Sequence, residues 1–126
     1  MRKEARPIRF VIKSVDYAPD DLEDQTPVRG RLLRRVAGPD PQDYWLAELK
    51  RPLSWTLNGD TQTIRHLVLK PRWQGTAIGP GAKIPVNIYY VTDACVLDAD
   101  SFAPAQVAYV AIGMIKVSWV ATLFGS

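Results

Sequence analysis

Arg51-Pro52-Leu53-Ser54-Trp55-Thr56-Leu57-Asn58-Gly59-Asp60-Thr61-Gln62-Thr63-Ile64-Arg65-His66 contains the strongest local signal in this chain. Asn58 and Gly59 both tolerate the positive φ that a type I′ hairpin turn demands. With those two at the centre, Leu57 faces Asp60, Trp55 faces Gln62, Leu53 faces Ile64 and Arg51 faces His66. Pro52 lacks a backbone donor and marks an edge or a bulge. Continued past it without a bulge, the register sets Leu49 opposite Val68 and Trp45 opposite Arg72.

A two-residue apolar beat extends outward from this hairpin. It runs through Ile8, Phe10 and Ile12, then Val28 and Leu32, then Trp45, Ala47 and Leu49, then Ile84, Val86, Ile88 and Tyr90. Alternate side chains of a strand point to opposite faces, so the beat predicts half-buried strands. No segment carries a convincing helical period. The expectation is a single all-β domain, a small antiparallel β-barrel or sandwich of about six to seven strands, with an irregular loop near residues 92–104.

The end of the sequence breaks the pattern. Val107, Tyr109 and Ile115 fall on one face, and Val110, Ile112 and Met114 on the other, so both faces need cover. Val110, Ile112 and Met114 are therefore candidate interface residues for a protein partner or a homo-oligomer. The run from Ala105 to Phe124 has the length of a membrane helix, but Lys116 interrupts it and its alternation is that of a strand; no membrane span is expected. No secretory apolar region follows the charged first residues, since Arg9 and Lys13 cut it.

At 126 residues the chain buries roughly two-thirds of its unfolded surface without needing cross-links. One cysteine and one histidine exclude an intramolecular disulfide and leave too few soft ligands for structural zinc, so neither a metal nor a cofactor is expected. The lone thiol favours a reducing, cytoplasmic setting. Formal net charge is only +3, yet its distribution is uneven. Asp16, Asp20, Asp21, Glu23 and Asp24 precede Arg29, Arg31, Arg34 and Arg35.

The chemistry-bearing residues form no catalytic constellation. His66 is a candidate proton shuttle, but Arg51 opposite it disfavours the protonated form. Cys95, between Ala94 and Val96, reads as a packing residue rather than a nucleophile. Gly81-Ala82-Lys83-Ile84 lacks the adjacent Gly-Lys and following Ser or Thr of a phosphate loop, and the acidic cluster lacks calcium-loop spacing. Leu67 to Gly75 followed by Ile84 to Ile88 resembles a small bacterial barrel and implies no activity.

The arginines carry the main functional signal. Alternation puts Arg29, Arg31 and Arg35 on one strand face, while Arg65, Lys70, Arg72 and Trp73 form a second basic segment with an aromatic. The leading expectation is a non-catalytic interaction module, binding a protein partner or itself through the apolar last strand and this arginine face. An OB-like binder of single-stranded nucleic acid is the alternative, cations meeting phosphates and rings stacking on bases. A small-ligand barrel or an enzyme using His66 comes third.

Overall fold

Six strands form where the apolar beat runs: β1 (Ile8–Asp16), β2 (Val28–Val36), β3 (Tyr44–Leu57), β4 (Asp60–Pro71), β5 (Lys83–Val91) and β6 (Val107–Val117). The computed structural model describes residues 8–57 and 59–118. Each strand pairs antiparallel with the next, and β6 returns to β1, so the sheet closes as a barrel. Closure leaves no row of unpaired backbone groups at a sheet edge. The connectivity is up-and-down, not the Greek key of an OB-fold, and the OB-like expectation is corrected on that point.

The inward residues of the beat fill the barrel. Phe10, Ile12, Val28, Leu32, Trp45, Ala47, Leu49, Val86 and Ile88 all belong to one buried cluster. Leu22 of the four-residue helical turn α1 (Asp20–Glu23) joins this cluster, as does Ile78 of the β4–β5 loop. Full burial of an aliphatic side chain of this size contributes about 1.5–3 kcal/mol, so these two residues anchor their connections to the core.

A second cluster lies outside the barrel. The segment between β5 and β6 carries two 3-10 turns, Ala94–Asp98 and Pro104–Gln106, and lays Val96 and Phe102 over Val36, Tyr44, Leu46 and Val68. The guanidinium of Arg34 fastens it by donating to the carbonyls of Leu97 (3.0 Å), Val96 (3.3 Å) and Ala99. This cover explains why Leu46 and Val68 are apolar although they face away from the barrel interior.

Bulges decide which way several side chains point. At the hairpin, Leu57, Trp55 and Leu53 pair with Asp60, Gln62 and Ile64 as the turn predicts. Beyond Leu53 the register shifts, because β3 spends Leu49 to Pro52 against Arg65 alone. His66 therefore faces Glu48, not Arg51, and Trp45 faces Leu69, not Arg72. In β6, Val110 stands unmatched between the pairs Ile88–Ala111 and Tyr89–Tyr109, and both Val110 and Ala111 turn into the core. The interface trio is thereby divided: Val110 is buried, Ile112 half-buried and Met114 exposed.

Gly30 sits where a side chain has no room. A Cβ there would lie 2.4 Å from the Glu48 carbonyl oxygen and 2.9 Å from the Phe10 ring. Gly30→Ala is expected to lower unfolding free energy by about 1–3 kcal/mol, measured by urea denaturation.

Candidate functional site

Outward residues of β6, β1, β2 and β3 meet in a groove of about 700 Å³. The register builds it. Lys116 pairs with Val11, and Val11 pairs with Arg29. Lys50 follows Leu49, the partner of Gly30, and completes this row. In a second row Arg9 pairs with Arg31 and Arg31 with Glu48. Rows two residues apart along a strand stand about 7 Å from each other, and neighbouring strands about 4.8 Å.

Five cations thus surround Val11: Arg9, Arg29, Arg31, Lys50 and Lys116, all exposed. Among the described residues only Glu48 lines the groove with opposite charge. Arg31 holds it through Nη2 at 2.6 Å and Nε at 2.9 Å from Oε1. That bond, aided by the Arg31 charge, keeps the Glu48 carboxyl below its ordinary value despite partial desolvation. The His66 Nε2 lies 3.6 Å from Oε2, so the one histidine borders the groove beside a carboxylate. The cationic neighbour expected for it is replaced by an anionic one. Among the described residues no acidic group pairs with Arg9, Arg29, Lys50 or Lys116.

The remaining arginine-face candidates are dispersed. A bulge at Leu33 reverses the alternation of β2, so Arg35 pairs with Trp45 at one end of the barrel rather than lining up with Arg29 and Arg31. Its guanidinium covers the Trp45 ring at 4.7 Å, and Nε donates to Asp43 Oδ1 at 2.9 Å. Asp43 Oδ2 also accepts from Trp45 Nε1 at 3.1 Å and from the Ile78 amide at 2.8 Å. Arg35 is therefore part of a closure that seats Ile78.

Lys70 is half-buried, with Nζ 5.6 Å from the Tyr44 ring centre and 3.9 Å from Asp40 Oδ2. Arg72 stacks under exposed Trp73 at 5.2 Å, and Arg65 is exposed at the β3 bulge. Arg31 and Arg35 pair with Glu48 and Asp43, not with the acidic residues that precede β2. Arg9, Lys50 and Lys116 escaped the sequence reading because only the β1–β6 and β2–β3 registers bring them to Arg29.

Cys95 lies exposed in the first 3-10 turn, where its amide donates to Asp93 Oδ1 at 2.9 Å. Hydrogen bonding to the Asp93 carboxylate, and its charge, push the thiol upward, away from the thiolate a nucleophile needs. Among the described residues no cluster of His, Cys, Asp or Glu is arranged to hold a metal, and no helix is long and apolar enough to cross a membrane. Comparison with protein-family models, curated proteins and solved structures finds no match.

The Arg31–Glu48 pair makes stability depend on pH. Because the folded carboxyl titrates below the unfolded value of 4.5, its contribution is present above that pH and fades as pH falls through the lowered value. The stability gap between wild type and Glu48→Gln is expected to be no more than ~1 kcal/mol near neutrality and to close in acid. Urea denaturation across the pH range reads it.

Proposed function

We propose that this chain is a binding module whose basic groove takes an extended acidic segment of a partner protein. The supporting observation is the convergence of Arg9, Arg29, Arg31, Lys50 and Lys116 around Val11, with Glu48 the one carboxylate among the described lining residues. The row spacing of about 7 Å matches the distance between alternate side chains of an extended peptide. Acidic residues at every second position would meet both rows. The aliphatic stems of the lysines and arginines, with Val11, offer such a peptide an apolar floor.

The lining favours a peptide over single-stranded nucleic acid. Non-specific strand binders stack bases on exposed rings, and among the described residues the one ring lining this groove, Phe10, is buried in the core. Exposed Tyr17, Trp73 and Tyr109 stand outside the groove. The charge of the groove would steer an acidic partner and fix its register, with Glu48 rejecting a carboxylate at one position. We place this interaction in a reducing compartment, in keeping with the exposed free thiol of Cys95.

Fluorescence anisotropy with a labelled peptide of alternating glutamate and valine, and with oligothymidylate, tests the reading. Peptide affinity is expected to fall with salt and to drop on the order of tenfold in Arg29→Ala with Lys116→Ala, while Glu48→Gln tightens binding. Tighter binding of the oligonucleotide, or a double variant that binds like wild type, would overturn it.

A further inference from the structure

The four exposed large apolar side chains among the described residues are Tyr17 (82%), Trp73 (58%), Tyr109 (48%) and Met114 (43%). Scattered singly, such residues need no explanation. Here the register gathers them around the outer face of β5 and β6. Met114 pairs with Pro85, and Tyr109 pairs with Tyr89, their rings edge to face at 5.8 Å. Tyr17 follows Asp16, which pairs with Ile112 from the β1 side. On the β4 side the Arg72 amide donates to the Pro85 carbonyl at 3.0 Å, and Trp73 covers the Arg72 guanidinium.

The strip has the composition of an interface centre, tyrosine, tryptophan, methionine and arginine, with the exposed Lys83–Lys116 pair beyond Met114 at one end. Its margins carry opposite charge. Asp16 stands at the β1 margin and Arg72 at the β4 margin, and among the described residues neither forms an ion pair. Tyr17 has φ 57°, a left-handed conformation uncommon for a non-glycine residue, and its ring stands out in solvent.

We propose that the β5–β6 face binds a second copy of this chain, face to face, about a two-fold axis running along β6. That axis sets the β1 margin of each copy against the β4 margin of the other. Asp16 then approaches Arg72 of the second copy twice, and Tyr17 meets the Arg72–Trp73 stack, while Tyr109 and Met114 pack near the axis. Of its described cations the basic groove takes only Lys116 from the strand ladder of β6, the others lying on β1, β2 and β3; the proposal does not depend on what the groove binds.

Light scattering and sedimentation across a concentration series test it. The wild type is expected to reach the dimer mass. Tyr109→Asp with Met114→Asp remains monomeric with an unchanged circular dichroism melt. Asp16→Arg and Arg72→Glu each weaken the dimer at least about tenfold, and their combination restores it, because the swapped margins complement each other again. Should these exposed variants melt early, cross-linking of Met114→Cys near the axis supplies the independent reading: an oxidised dimer supports the arrangement, and its absence counts against it. A wild type that stays monomeric throughout, a dimer untouched by the Tyr109 and Met114 changes, or a double swap no better than the singles overturns the proposal.

Discussion

The pairing of β1 with β6 is the constraint on which the rest of the structure depends. Phe10 to Ile12 align with Val117 to Ile115, and this ladder turns six hairpin-linked strands into a closed surface. An open sheet of the same strands would expose two edges and would need another layer to cover the apolar face. Closed, it buries Ile12, Leu32, Leu49, Leu67, Leu69 and Ile115 against one another with almost no exposure. The same ladder carries Lys116 to Val11 and thus to Arg29, so the groove exists only because the barrel closes.

Closure also demands curvature, and bulges supply it. Each bulge reverses the in-and-out order of the residues beyond it. At Leu33 the reversal separates Arg35 from Arg31: one caps a barrel end against Trp45 and Asp43, the other lines the groove with Glu48. At Val110 it draws two consecutive side chains into the core, which accounts for the run of apolar residues there, while Tyr109 and Met114 stay exposed on the outer face. Before Leu53 it exchanges Arg51 for Glu48 as the neighbour of His66. The outer cover over Val68 and Leu46 depends on the β5–β6 crossing segment, whose Val96 and Phe102 are its only large buried side chains.

Much of this was legible locally. The Asn58-Gly59 turn gave the right pairs as far as Leu53 and Ile64, and alternation assigned the inward residues of β1, β5 and the first half of β3. Of the site, Arg29 and Arg31 were legible as neighbours on one face. Arg9, Lys50 and Lys116 were not, because their proximity is set by pairing between strands far apart in sequence, and periodicity says nothing about which strand lies beside which. The four tryptophans could not be sorted either: Trp45 and Trp55 are buried and Trp73 is exposed, while Trp119 lies outside the described residues.

By itself, the sequence determined that strands form, where the tight hairpin turns, and which face of each regular stretch is apolar, because these follow from φ preferences and a two-residue period. Only the tertiary structure decided that the strands close on themselves, where the alternation reverses, and which cations share a groove. Those outcomes depend on registers between distant segments, and a register is fixed by packing a common core, not by any one strand.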